Sequence, residues 1–244
     1  MGPTMEIVTS RMRYISSQLE KPIRVVGLCT SLANARDLGE WIGASSHGLF
    51  NFPPGVRPVP LDIHVQGIDI INFESRMQAM ARPVYGAINQ HAPNGEPAIV
   101  FVPTRKHAKL AALDLLTFAA ADGAPSKFLA CEAADLEPHL ARITDPAVRH
   151  ALQFGVALLH ESMEADEREV VERVFASGAA SVLVATAPLA WGLTAVCKVA
   201  IIMGRGSHSF TLQLNFSNFR THSRVDLCYT VDRRAQVELK SERV

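Results

Sequence analysis

The chain carries no G-x-x-x-x-G-K-[ST] loop, no G-x-G-x-x-G after a strand-like run and no G-x-S-x-G elbow. Those absences exclude a self-contained phosphate-loop enzyme, a dinucleotide-binding fingerprint and the α/β-hydrolase nucleophile. It also lacks net charge: Lys+Arg and Asp+Glu both number 24 in 244 residues. A strongly basic footprint for non-specific nucleic-acid binding is therefore excluded, and any such contact must be local. Cysteine is sparse and scattered, with Cys29, Cys131, Cys197 and Cys228 forming no C-x-x-C pair. A zinc site is not expected, and a reducing compartment is the default. The first residues have neither a basic segment nor an apolar run behind it, so nothing marks secretion.

What is present is apolar residue in quantity, 48% of the chain, ample for a packed core. The organising stretch is Ser181-Val-Leu-Val-Ala-Thr-Ala-Pro-Leu-Ala-Trp-Gly192. Its first half is β-branched and aliphatic without a charge, which predicts a strand buried on both faces and stopped at Pro188. Residues 179–197 contain no charged side chain, about enough length for a bilayer span. Ser181, Thr186, Pro188, Gly192 and Thr194 oppose that reading, because polar and helix-breaking groups are costly in lipid. No membrane partner is expected.

Before this stretch, residues 5–20 set Val8, Met12, Ile15 and Leu19 on one helical stripe, predicted to be buried. Residues 23–28 read as a short inner strand leaving through Cys29-Thr30-Ser31, and Asn34 can cap a helix over residues 35–42. A helix and a lone inner strand look like the far end of a sheet whose first part is missing. The prolines at 53, 54, 58 and 60 suit a linker, so a boundary is expected near residue 60. Leu61, Ile63 and Val65 alternate with polar residues as in an edge strand. A helix follows with Phe73, Met77, Met80, Val84 and Ile88 on one side, kinked or restarted at Pro83. Residues 98–102 read as a buried strand and Thr104 as the cap of a helix over residues 106–121, with Leu110, Leu113 and Leu116 inward. Residues 122–152 read as short helical pieces, 156–159 as a strand, 164–177 as a helix closed by Gly178, and 199–203 as a last strand. Strands alternating with helices imply a parallel sheet.

The candidate chemistry gathers where strands end. Thr30 and Ser31, Thr104 and Arg105, His160 and Glu161, and Thr186 with Trp191 and Gly192 occupy strand exits. In a parallel sheet those exits share one edge, and hydroxyls, amides and helix N-termini suit phosphate oxygens. Read singly, each is an ordinary cap or turn. His160-Glu161 begins like H-E-x-x-H, but position 164 is glutamate, so no zinc pair forms.

Together these segments resemble a family. Arg11-Met-Arg-Tyr-Ile-Ser-Ser-Gln, Val56-Arg-Pro-Val-Pro-Leu, Ile99-Val-Phe-Val-Pro-Thr-Arg-Lys, Leu159-His-Glu and the 184–193 run are similar to the large two-cassette spliceosomal RNA helicases of the DExH-box class, closest to their C-terminal cassette. The resemblance covers residues 5–204. It implies an incomplete α/β fold: a RecA-like parallel sheet with flanking helices. Residues 1–60 would be the remnant of a first RecA-like domain plus linker, and 61–204 a truncated second one. Residues 205–244, with seven basic and four acidic side chains, would be a disordered tail outside the family, from a shifted frame or an unspliced intron.

Roles follow from the same resemblance. Thr104, Arg105 and Thr186 would hold RNA phosphates, Cys29-Thr30-Ser31 would stand at the coupling motif, and Gly192 and Thr194 near the nucleotide. Ser-Ala-Thr is expected at the coupling motif and an acid or amide where Thr194 stands, so both departures weaken ATPase coupling. ATP and Mg²⁺ serve the full-length family. This chain lacks the phosphate loop, the Mg²⁺-binding acids and the arginine finger, so no tight nucleotide binding and no hydrolysis is expected of it alone. Partners implied are RNA, spliceosomal proteins and the missing first RecA-like domain, in the nucleus. The alternative is a non-catalytic docking and regulatory module.

Overall fold

The computed structural model describes residues 2–29, 32, 34–56, 60–204 and 225–232. They fall into two compact units, Met1–Pro58 and Val59–Lys240.

In the first unit, helix α1 spans Gly2–Gln18 and α2 spans Ala35–Ile42. Asn34 caps α2 as its sequence predicts: the Asp37 amide donates to Asn34 Oδ1 at 3.2 Å. Gly43 closes the helix at φ 85°, the left-handed conformation that glycine adopts without cost. The Arg13 guanidinium donates to the Trp41 carbonyl, which ties α1 to the end of α2. Two expectations fail here. The α1 stripe is not buried, with Val8 at 50% and Leu19 at 61% exposure. Residues 23–28 form no strand, and Leu28 is 95% exposed. A strand needs a neighbour to pair with, and the described residues of this unit supply none. Cys29 is exposed and irregular, while Thr30 and Ser31 lie outside the described residues.

The second unit is built on a six-stranded sheet in the order β1-β6-β5-β2-β4-β3. Its strands are β1 Leu61–Ile68, β2 Ala98–Val102, β3 Val156–Leu159, β4 Val182–Thr186, β5 Val199–Met203 and β6 Val225–Asp232. All pairings are parallel. This is the expected α/β, RecA-like arrangement of a parallel sheet with flanking helices. Strands β2 to β5 are buried throughout, as charge-free runs must be when both faces are covered. β1 takes the expected edge position, but its apolar alternation does not give one dry face, since Ile63 is 52% and Val65 37% exposed.

Helices α3 Phe73–His91, α4 Arg105–Ala121, α6 Pro146–Gln153 and α7 Ala165–Ala176 pack on this sheet, and α5 Ala133–Leu140 packs on α6. Helix α3 continues through Pro83 instead of restarting there. Met77 and Met80 before the proline and Val84 and Ile88 after it are all buried, so packing holds both halves on one face against the lost hydrogen bond. Helix α4 is turned from its expected orientation. Leu110 and Leu113 are exposed, and the inward face is Ala108, Ala111, Ala112, Leu115, Leu116 and Ala119. An alanine face lets the helix lie close to β2, β3 and β4.

The tail expected to lack structure places eight residues in the sheet. β6 pairs with β1 from Leu61↔Val225 to Ile68↔Asp232 and with β5 from Val199↔Asp226 to Met203↔Thr230. Val225, Leu227, Tyr229 and Val231 alternate with polar or small residues, a period-two pattern that the averaged basic composition of the tail conceals. The rest of 205–244 lies outside the described residues. Among the described residues no helix is long and apolar enough to cross a membrane.

Candidate nucleic-acid interface

Because every pairing is parallel, the C-terminal ends of the strands lie along one edge. The adjacency of β2, β4 and β3 sets Thr104, Thr186 and His160-Glu161 side by side on it. Thr30 and Ser31 belong to the other unit and are not described.

Thr104 is the N-cap of α4, and its side chain accepts from the His107 amide. Its hydroxyl also lies 2.7 Å from His107 Nδ1, and His107 Nε2 lies 3.3 Å from Glu74 Oε2. One assignment satisfies all three contacts: the hydroxyl donates to Nδ1, and Nε2–H donates to the carboxylate. Glu74 also accepts from Lys106 Nζ at 3.2 Å, and this hydrogen bond is the main cause that holds its carboxyl below the usual range. Phe73 packs edge-on against His107 with ring centroids 5.3 Å apart. The loop carrying Arg105 is thus braced from behind. Arg105 itself is exposed and makes no hydrogen bond or ion pair among the described residues.

At the end of β4, Thr186 is fully buried and donates its hydroxyl to Glu161 Oε2 at 2.7 Å. That hydrogen bond is the leading reason the Glu161 carboxyl titrates below its ordinary value. His160 beside it is 3% exposed, and neither ring nitrogen has a partner among the described residues. Burial pushes its pKa down, and the charges of Lys109 and Arg105 push the same way against the smaller opposing effects of Asp145 and Glu161. Gly192 ends the 3-10 turn Ala187–Trp191, and Gly192 and Thr194 are both exposed on the stretch leading to β5.

Behind the edge, Lys109 Nζ meets Asp145 Oδ2 at 2.6 Å, and Asp145 caps α6 by accepting from the Ala147 amide at 2.9 Å. Glu167, 6% exposed, accepts from the Thr144 amide at 2.5 Å and from the Thr144 hydroxyl. These bonds hold its carboxyl below the usual glutamate range. A carboxylate depressed in the folded state stabilises above its unfolded pKa, and that contribution is lost as pH falls through the folded value. The melting-temperature gap between wild type and Glu167→Gln is expected to be wide at about pH 6 and to narrow toward about pH 3, measured by circular dichroism.

The sequence points to Thr104, Arg105, Glu161 and Thr186 and leaves His107, Glu74 and Glu167 unremarked. Only the i, i+3 spacing of Thr104 and His107 was locally visible; their link to Glu74 crosses 33 residues. A cavity of about 290 Å³ lined by Cys131, Asp135, Leu136, His139, Ser177 and Gly178 sits by α5 and the end of α7, not on this edge.

A parallel α/β segment with hydroxyls, an unpaired arginine and a braced helix N-terminus along one sheet edge defines a RecA-like unit. Comparison with known proteins is specific. The chain is 52% identical over 204 residues to the DExH-box ATP-dependent RNA helicase DExH12 of Arabidopsis thaliana, covering 83% of this chain and 9% of that one. It is 48% identical over 202 residues to the human U5 small nuclear ribonucleoprotein 200 kDa helicase, again 83% of this chain and 9% of the relative. To the Drosophila melanogaster protein of the same name it is 44% identical over 225 residues, 92% of this chain and 10% of that one. No family model matches. The chain is homologous to a segment of DExH-box RNA helicases, spanning about a tenth of their length.

Proposed function

We propose that this chain supplies an RNA-backbone-binding surface of a spliceosomal ATP-dependent RNA helicase and does not hydrolyse ATP by itself. The observation that carries the reading is the convergence of Thr104, Arg105 and Thr186 on one sheet edge, in a chain homologous to helicases. Thr104 fixes the start of α4, whose first amides and dipole favour an anion. Arg105, exposed and unpaired, supplies the mobile cation that meets it. Thr186, on the neighbouring strand, would offer its hydroxyl to a phosphate oxygen once Glu161 releases it. Gly192 and Thr194 would lie near a nucleotide, and Cys29, Thr30 and Ser31 would couple it to RNA, once a first RecA-like domain is in place.

By itself the chain is expected to hold no Mg–ATP tightly. The sequence has no phosphate loop to cradle the phosphates. The setting is the nucleus, with spliceosomal proteins as further partners.

Arg105→Ala is expected to weaken binding of a single-stranded oligonucleotide and to lower the slope of log K against log salt by about 0.7, as one lost phosphate contact does. Anisotropy titrations at several salt concentrations measure this, and an unchanged slope would refute the assignment. RNA-stimulated ATP turnover by the purified chain would refute the inactivity. A second reading, a docking module without RNA, is favoured by exposed apolar side chains such as Ile71 at 84% and Phe50 at 72%. Under it, RNA binding by the Arg105 variant would match wild type while partner capture persisted.

A further inference from the structure

The hydroxyl that an RNA phosphate would need at the β4 exit is already engaged. Thr186 has no exposed surface, and its only hydroxyl proton is already given to the carboxylate of Glu161 at 2.7 Å. Glu161 is itself exposed and forms no ion pair within 4.0 Å among the described residues; the positive charge of Arg105 acts on it only from a distance. Its backbone is anchored just past the end of β3, where the carbonyl accepts from Arg168 at 3.4 Å, and the exposed carboxylate is held by the Thr186 hydroxyl and its own backbone amide, hydrogen bonds that water or a phosphate can replace. A carboxylate and a phosphate cannot share one hydroxyl proton, and two anions at hydrogen-bond separation repel each other.

We propose that Glu161 is an intramolecular stand-in for a backbone phosphate, closing the β4 exit to RNA until it is displaced and thereby setting the affinity of this edge. The inference rests on the reading of the edge as an RNA-backbone surface. Binding exchanges one anion for another at Thr186. The nucleic acid gains only the difference between its own hydrogen bond and that of Glu161, while Arg105 nearby favours either anion. Neutralising the side chain removes the repulsion and leaves a weaker acceptor, because hydrogen bonds to charged groups are roughly twice as strong as neutral ones.

The test is an anisotropy titration of the full chain with fluorescein-labelled oligouridine at fixed salt, with thermal melts confirming that each variant is folded. Glu161→Gln is expected to tighten binding by about tenfold, the worth of one charge-assisted hydrogen bond. Glu164→Gln removes the same charge from a helix cap that makes no side-chain bond, and is expected to change binding by less than about twofold. In a Thr186→Val background the gain from Glu161→Gln is expected to vanish. Wild-type affinity in Glu161→Gln, an equal gain in Glu164→Gln, or a gain that survives Thr186→Val would each overturn the stand-in role while leaving RNA binding intact. Absence of RNA binding, unaltered by Arg105→Ala or Thr186→Val, would remove the underlying reading as well.

Discussion

Gly155→Ala is expected to cost at least about 4 kcal/mol of stability, a loss reserved for substitutions that displace buried backbone. Gly155 sits at φ 83°, and a Cβ there would stand 2.1 Å from both the carbonyl carbon and oxygen of Phe128. No flexible side chain can yield, since the obstacle is main chain. The Phe128 oxygen accepts from the Ser181 amide at 2.9 Å and the Ser181 hydroxyl at 3.0 Å, and Ser181 is 3% exposed. Pushing that carbonyl aside leaves buried donors unsatisfied on top of the left-handed strain. Gly123→Ala, at φ 76° with open space around its Cβ, is the control and is expected to cost only about 1 kcal/mol. Urea unfolding of the three proteins measures the difference. The consequence reaches the site, because Gly155 opens β3, which carries His160 and Glu161 to the edge.

Phe101→Ala follows, with an expected loss of about 3–5 kcal/mol, against about 1.5 kcal/mol or less for Phe101→Leu. Phe101 is 1% exposed in β2, facing Ala185 of β4 and Ile202 of β5 in register. Both neighbours are smaller than the ring, and a sheet strand held on two sides cannot collapse into the void. Midpoints of urea denaturation distinguish the two variants, and equal losses would mean that the site relaxes. The strand runs directly into Pro103 and Thr104, so the alanine variant is also expected to loosen the cap of α4 and weaken RNA binding beyond the effect of stability alone.

Local signals carried a good part of the fold. The charge-free runs at 98–102, 156–159 and 199–203 are β2, β3 and β5 with the ends read from the letters. Asn34 and Thr104 cap the helices they were read to cap, since a short polar side chain next to a free amide needs no distant partner. The α1 stripe, the strand at 23–28 and the inward face of α4 were misread for a shared reason: periodicity says which residues share a face, not whether a neighbour covers it.

The sequence alone determined the bounds of the charge-free strands β2, β3 and β5, where two helices begin and which polar residues stand at the strand exits, because those properties depend on side chains within a few residues. Only the tertiary structure decided that β6 separates β1 from β5, that alanines line the inner face of α4, and that Glu161 closes over Thr186. The last contact joins residues 25 apart through the side-by-side packing of β3 and β4. No periodicity along the chain encodes which of several exposed carboxylates a buried hydroxyl will meet.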